Sequence, residues 1–508
     1  MGGELIAFYR DRVKKNWKQA FVVTFVACLL IHIYKFTNTL PNHDSMYNDY
    51  SSQDITGSGR WFLQYACGIS SYFDLPWING LLCAVYLGAA AAVIVEIFQI
   101  TNPVVIALSG MILAASPCTT ETLFFGYTAD GYLLGLLLSA LSALLSCAGK
   151  GWKQNLISGI CLCLSLAIYQ AYVSFAAVLC VCYLICRILN GEETVKSVCK
   201  WVSRHILLYG AAMAAYYLIW KLLLAAKGMQ AVEYQGISAV GHITVATIVN
   251  GAINSVRNLA LFFLEWNILE HPVSAYSVLN IAFLIGFGFV LIKALIRSKV
   301  IRKPMMLMMV LICLAACVPI ISIWNFTSDS VIYRPMMMHS VCVLYIFALV
   351  LFEKWVGTRA STWFGLLTAV IVFNFALMAN IAYSYLDKCY QKSYYMGMEL
   401  MGQIQQYEDI HQIAFIGHRG ESVSLTEESH IDSIHIFSGM LEEDLLYDHS
   451  HAYLYLKNTF GMEIPEAPPT VIWEIESRTE AEAMESWPAD SAVKVFDDIL
   501  VIKLGEIS

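Results

Sequence analysis

The polar residues best suited to chemistry stand in one early stretch, residues 42–62. It carries Asp44 and Asp49, and it ends with a glycine-rich turn just before Arg60. A carboxylate can act as a general base or hold a cation, and glycines let the backbone approach a ligand closely. The stretch therefore predicts a catalytic or cation-binding loop. On composition alone, a solvated loop built of turn residues is an open alternative.

A single arginine, Arg334, stands where a later apolar stretch begins, between Tyr333 and Pro335. A guanidinium stays charged and donates two parallel hydrogen bonds to a phosphate. The position therefore predicts contact with a lipid phosphate at the depth of the head groups. The alternative is a snorkelling side chain that only anchors the end of a span.

Four other polar residues border apolar stretches: Glu121, Asp130, Tyr169 and Gln170. Their carboxyl, phenol and amide groups are of the kinds that hydrogen-bond sugar hydroxyls. Structural roles are open for three of them. An aspartate at the head of a span is also a common helix cap, and Tyr169 and Gln170 could simply satisfy the turn of a helical hairpin.

Several chemical signatures are missing from the sequence. It contains no glycine-rich phosphate loop, no Cys-x-x-Cys and no His-Glu-x-x-His. Nucleotide hydrolysis and structural or catalytic zinc therefore lack support.

The elements that must position these groups are membrane helices. Of the 508 residues 58% are hydrophobic and only 14% are charged, which is wrong for a soluble globule. The apolar residues fall in stretches of about 20, the length that a helix needs to cross a bilayer. We predict about eleven transmembrane helices, near residues 19–38, 77–98, 103–118, 131–148, 155–169, 171–189, 206–226, 274–295, 305–323, 335–352 and 362–384.

Lysine and arginine accumulate in every second loop, starting with residues 10–18 before the first span. Short cytoplasmic loops retain these residues. The pattern therefore predicts a cytoplasmic N-terminus, and an eleventh span then leads outside. Residues 1–385 are predicted to form the membrane domain.

Residues 386–508 are predicted to form a small extracytoplasmic α/β domain. The segment from 385 onward holds 23 of the 39 acidic residues and 7 of the 31 lysines and arginines. That charge argues against a nucleic-acid partner. Alternating hydrophobicity predicts strands at 411–417, 470–473, 493–496 and 500–504, after a helix at 390–407.

Taken together, these motifs resemble the Gtr-type bacterial membrane glucosyltransferases, which belong to the lipid-sugar-dependent GT-C class. The resemblance rests on short motifs within residues 20–385: His43-Asp44-Ser45, the stretch 51–62, Glu121 to Asp130, Tyr169-Gln170 and Tyr333-Arg334.

The resemblance implies transfer of a sugar, glucose in this family, from a polyprenyl phosphate carrier to a cell-surface polysaccharide. The reaction would occur at the outer face of the bacterial cytoplasmic membrane. Asp44 maps onto the key acid of the first outer loop. Members of the class often pair two adjacent acids, whereas here His43 precedes Asp44 and the next acid is Asp49. A divalent cation, magnesium or manganese, is therefore a candidate cofactor but not an assigned one.

The implied roles are Asp44 as general base and Arg334 on the donor phosphate, which requires the two to meet at one lipid head group. The other predicted substrate-binding residues are Asp49, Arg60, Glu121, Asp130, Tyr169 and Gln170. The alternative function is a transporter or flippase of lipid-linked sugars without covalent chemistry. Against it, the spans are nearly free of charge and show no internal repeat.

Overall fold

The computed structural model describes residues 13–48, 50–149, 151–232, 244–264, 274–328, 331–407, 410–419, 436–437 and 445–507. As far as these ranges reach, the chain forms two compact units. The first comprises Met1–Thr37 and Ser52–Asn380, and the second comprises Asn38–Ser51 and Ile381–Ser508.

The first unit is helical. Its helices are α1 (Lys15–Thr37), α2 (Leu63–Cys67), α3 (Pro76–Phe98), α4 (Pro103–Ala115), α5 (Pro117–Phe124), α6 (Gly126–Ala148), α7 (Trp152–Ile168), α8 (Val173–Leu189), α9 (Val195–Lys227), α10 (Val245–Leu264), α11 (Ala275–Arg297), α12 (Pro304–Ile321), α13 (Ser340–Trp355) and the first part of α14 (Thr358–Ile404).

Within the described ranges, nine helical segments are long and apolar enough to cross a membrane. The other two predicted spans correspond to two shorter helices, α7 and α13, with 17 and 16 residues. The structure thus confirms an all-α polytopic membrane protein. Helix α9 leaves large apolar side chains exposed on one face, including Leu207, Leu218 and Leu222, as expected of a surface in contact with lipid.

Helix α1 packs on α3 and α4, α3 packs on α6, and α6 packs on α7. Helix α8 packs on α12 and α13. Small residues allow close approach at several of these contacts. A Cβ on Gly80, for example, would collide with the ring of Phe36.

Two interruptions of the helices place polar residues in the interior. The predicted span 103–118 ends at Ala115, because the residue before a proline avoids the helical conformation. Ser116 then caps α5, which starts at Pro117. The second interruption is a 3-10 turn, Gln170–Tyr172, which joins α7 to α8 at the predicted hairpin.

The second unit contains a small three-stranded sheet: β1 (Gln412–Ile416), β2 (Val493–Phe496) and β3 (Ile499–Lys503). Strand β3 is central, parallel to β1 and antiparallel to β2. Helix α15 (His449–Phe460), helix α16 (Pro469–Glu476) and helix α17 (Thr479–Glu482) precede the last two strands. The predicted sheet region at the C-terminus is confirmed.

One predicted strand, at 470–473, is wrong because these residues belong to α16. Pro468 and Pro469 open the helix, and a proline at the first helical position already has the required φ. Ile472 and Ile475 are buried three residues apart, which is a helical spacing.

Candidate active site

Glu121 lies in the short helix α5 with its side chain wholly buried. Its Oε2 accepts a hydrogen bond of 2.6 Å from the backbone N–H of Met336. Met336 belongs to the 3-10 turn Pro335–Met337, which Arg334 precedes as the N-cap. Arg334 also interacts electrostatically with Glu121. The carboxyl group of α5 therefore holds the turn that carries the predicted phosphate-binding arginine.

The two side chains that hydrogen-bond Met336, Glu121 and His339, each have a second buried polar atom. Glu121 Oε1 and His339 Nε2 have no hydrogen-bond partner among the residues that the structure describes. His339 Nδ1 lies 3.0 Å from the carbonyl oxygen of Met336. A carbonyl can only accept, so Nδ1 carries the proton and Nε2 is left as an acceptor. Buried polar atoms without a partner are costly, and such a pair is well suited to accept ligand hydroxyls.

A row of aromatic rings leads away from His339. The ring of Tyr172 lies 5.5 Å from that of His339, edge to face. Tyr169 follows at 5.2 Å from Tyr172, and Tyr132 at 4.9 Å from Tyr169. Arg60 ends the row, with its guanidinium 5.0 Å from the centre of the Tyr169 ring and its Nη1 donating to the Tyr132 hydroxyl at 2.9 Å. The structure thus brings two of the predicted residues, Arg60 and Tyr169, into direct contact.

Gln170 fixes the turn that carries Arg60. Its Nε2 donates to the carbonyl oxygen of Ser58 at 2.8 Å and to the Tyr216 hydroxyl at 3.0 Å. The Tyr216 hydroxyl in turn donates to the carbonyl oxygen of Gly59 at 3.1 Å. Gly59 has φ +86°, a conformation that favours glycine. Gln170 therefore ties the hairpin to the first loop and to α9.

The same loop is tied to the end of α9 by an ion pair. Lys227 Nζ lies 2.6 Å from Asp54 Oδ2. The hydrogen bonds that Lys227 and Thr56 donate lower the pKa of the Asp54 carboxyl below its usual value. This contact anchors the loop at a second point.

Asp130 lies in the fifth position of α6 and is fully buried. Interpreting it as a helix cap is therefore wrong, because the helix begins four residues earlier, at Gly126. Its Oδ1 accepts from the N–H of Gly131 at 2.9 Å. Asp74 in the preceding loop is close enough to interact with it. Burial raises the pKa of the Asp74 carboxyl, and the ammonium group of Lys35 opposes that rise.

Asp44 belongs to the second unit, where it lies in the 3-10 turn His43–Tyr47. Asn42 and Ser45 cap this turn reciprocally. The Asp44 side chain is 48% exposed and lies 3.6 Å from His43 Nε2. A half-exposed carboxylate is accessible to a substrate hydroxyl.

The turn packs on α15, where the rings of Tyr47 and His451 lie 4.6 Å apart, edge to face. Asp49, another predicted substrate-binding residue, is outside the described residues. The meeting of Asp44 with Arg334 stays a prediction, because the two residues belong to different units.

Sequence reasoning missed three residues of this site. Tyr132 and Tyr172 complete the aromatic row, and His339 supplies a buried acceptor. Tyr172 closes the hairpin whose first residues were selected, and His339 follows Arg334 by five residues. Their closeness in sequence to the selected motifs was therefore the signal that could have identified Tyr172 and His339.

The helices and the buried polar groups between them define a multi-pass membrane protein with an internal polar site. A family model described as Glucosyl transferase GtrII matches residues 33–352, so the chain belongs to that family. It is therefore a glycosyltransferase. No curated protein and no solved structure matches the chain.

Proposed function

We propose that this glycosyltransferase moves glucose from a polyprenyl phosphate carrier to a cell-surface polysaccharide at the outer face of the bacterial cytoplasmic membrane. The observation that carries the proposal is the buried carboxyl of Glu121, which keeps one oxygen without a partner among the described residues beside Arg334. Ionisable groups inside membrane proteins usually mark a substrate site. A lipid-linked sugar phosphate offers both the anion and the hydroxyls that such a pair would bind.

In this proposal Arg334 binds the donor phosphate, and Glu121 Oε1 and His339 Nε2 accept hydroxyls of the sugar. The guanidinium supplies charge where negative charge develops as the phosphate leaves. Arg60 and Tyr169 contact the substrates from the other end of the aromatic row.

Gln170 positions Arg60 through the first loop. Asp130 and Asp49 are proposed as further substrate contacts, on the strength of the family resemblance and the burial of Asp130.

Asp44 acts as the general base. The acceptor hydroxyl oxygen attacks the anomeric carbon, and its proton passes to the Asp44 carboxylate. The bond between the anomeric carbon and the phosphate oxygen breaks, and its electron pair stays on the phosphate. The products are the glycosylated acceptor and free polyprenyl phosphate.

The Asp44→Asn variant tests the base. We expect transfer to fall to background while the protein stays folded, because an amide cannot accept the proton. The matched control is Asp490→Asn, which makes the same change at an exposed acid of the second unit. Full activity of Asp44→Asn would remove Asp44 from the mechanism.

The donor is tested with purified protein and labelled polyprenyl phosphate glucose. Release of free polyprenyl phosphate in step with glycosylation of the acceptor is the expected result. Movement of intact donor across a vesicle membrane, without release of carrier phosphate, would instead support a flippase. Removing metal with EDTA and restoring magnesium or manganese tests the candidate cation.

The proposed topology can be tested with cysteine labelling. Cys199 is an exposed native cysteine in a segment proposed to be cytoplasmic. Ser477 is exposed in the second unit, which we propose lies outside. An impermeant maleimide applied to spheroplasts should label the Ser477→Cys variant and leave Cys199 unlabelled until the cells are opened. The reverse pattern would overturn the proposed orientation.

A further inference from the structure

Three helices of the first unit bring metal-binding side chains to one point. Cys147 lies near the end of α6, Cys180 lies within α8, and His205 lies in the first part of α9. Their Sγ and imidazole nitrogen atoms all lie within 4.8 Å of one another. None of the three belongs to the proposed active site. Tyr132 is on the same helix as Cys147, fifteen residues earlier, which corresponds to about 22 Å along the helix axis.

The distance between the two sulfur atoms fits a shared metal ion. Cys147 Sγ and Cys180 Sγ are 3.6 Å apart. A tetrahedral zinc ion with Zn–S bonds of about 2.3 Å separates two thiolate sulfurs by about 3.8 Å. A disulfide would require a separation of about 2.05 Å. The side chains are thus already close to the spacing that a zinc ion needs.

His205 is held in the tautomer that a metal ligand requires. Its Nδ1 lies 2.9 Å from the carbonyl oxygen of Trp201, so Nδ1 carries the proton and donates it there. Its Nε2 is buried and has no hydrogen-bond partner among the described residues. The ring of Trp201 stacks on the imidazole at 3.6 Å and fixes its plane. A backbone carbonyl that orients the second nitrogen is the usual support of a histidine bound to metal.

The surroundings suit a pair of thiolates. The hydroxyl of Tyr209 lies 3.1 Å from Cys180 Sγ, where it can donate to a thiolate. Arg204 interacts electrostatically with Cys147. Two thiolates and a divalent ion sum to zero charge, which lowers the cost of placing the site among apolar helices. Cys147 is partly exposed.

We propose that Cys147, Cys180 and His205 bind one zinc ion that clamps α6, α8 and α9 together. The fourth position is open to water. Because the cluster lies about 22 Å along α6 from Tyr132 of the proposed active site, the ion has a structural role and takes no part in glycosyl transfer. Thiolate and imidazole donors select zinc over magnesium or calcium, which prefer oxygen.

Metal analysis of the purified full-length protein tests the proposal. After incubation with zinc and desalting, we expect about one zinc ion per chain. Cobalt(II) in place of zinc should give the strong visible absorption of a tetrahedral thiolate site. Cys147→Ser and His205→Phe, which change residues on different helices, should both lose the bound metal. Phenylalanine retains a ring to stack on Trp201.

Cys182→Ser is the control, because Cys182 is buried on α8, as Cys180 is, but is not part of the cluster. It should retain the zinc and the cobalt spectrum. Zinc-free wild-type protein should also unfold at a lower temperature than the zinc-bound form, since a ligand that binds only the folded state stabilises it. The same removal should leave the melting temperature of His205→Phe unchanged.

Wild-type protein that retains no zinc after this treatment would overturn the proposal. Equal zinc content in His205→Phe and the wild type would overturn it as well. So would a Cys147–Cys180 disulfide, detected by mass spectrometry of the purified protein.

Discussion

The hydrogen bond from the Met336 N–H to Glu121 leads to a prediction about the role of Glu121. It distinguishes a residue that positions Arg334 from one whose acidic group is itself required. Replacing Glu121 with alanine removes the only acceptor within the described structure for the buried Met336 N–H. Replacing it with glutamine keeps an oxygen at the same reach and removes the acidic group. The two variants therefore differ in whether the turn before α13 remains held.

The size of the effect follows from the burial of this contact. A buried donor that loses its acceptor costs about 1–3 kcal/mol. Pro335 has no N–H of its own, so the Met336 bond is the first that the turn can make. If the productive position of Arg334 is destabilised by this amount, kcat for Glu121→Ala should fall about 5- to 150-fold. Glu121→Gln should retain more of the wild-type kcat than Glu121→Ala, because its amide oxygen still accepts from Met336, although its NH2 group no longer accepts the sugar hydroxyl assigned to Oε1.

The assay is release of polyprenyl phosphate under saturating acceptor, with each variant checked for its melting temperature. Thr120→Val is the control, because the Thr120 hydroxyl is buried without a partner among the described residues and valine has the same shape. That change should be nearly neutral. If Glu121→Gln is as inactive as Glu121→Ala, the carboxyl group itself is required and the positioning argument is refuted.

Two other contacts of the first loop give predictions. Gly59→Ala should lower activity and cost about 1–3 kcal/mol of stability, because φ is positive at this position. The added Cβ would also clash with Tyr216 and with Gln170 Nε2, which would lie 2.7 Å away. A melting temperature equal to that of the wild type would contradict this prediction. The ion pair of Asp54 with Lys227 predicts a pH effect. The pKa of the Asp54 carboxyl is lowered in the folded protein. Its contribution to the free energy of unfolding is therefore present above the ordinary pKa of 3.8 and is lost as the pH falls through the pKa of the folded state. The melting temperature should therefore fall more steeply below about pH 4 in the wild type than in Asp54→Asn, and Lys227→Met should behave like Asp54→Asn. Parallel pH profiles in all three proteins would show that this ion pair does not contribute.

Local chemistry explains which features the sequence predicted well. A helix in lipid must satisfy its own hydrogen bonds, so the apolar stretches already predicted the helices that the structure contains. The hairpin at Gln170 follows from a break in one long apolar stretch. By contrast, the segment 470–473 looked like a strand because a short apolar run does not distinguish the two structures.

Single motifs predicted the residue types of the site but not their partners. Arg60 and Tyr169 were selected as separate substrate-binding candidates, and packing of the first loop on the hairpin brings them into contact. Glu121 was selected for its position at the end of a span. Its bond to Met336, 215 residues later, depends on how α5 meets the turn before α13.

The amino-acid sequence by itself determined the membrane helices, the acidic C-terminal region and the polar residues available at the ends of the helices. These features depend on hydropathy and on neighbours along the chain. Only the tertiary structure decided which side chains meet, as for Cys147 and Cys180, which are 33 residues apart on different helices. The rotation and depth of each helix are set by packing against its neighbours, and no periodicity within one helix contains that information.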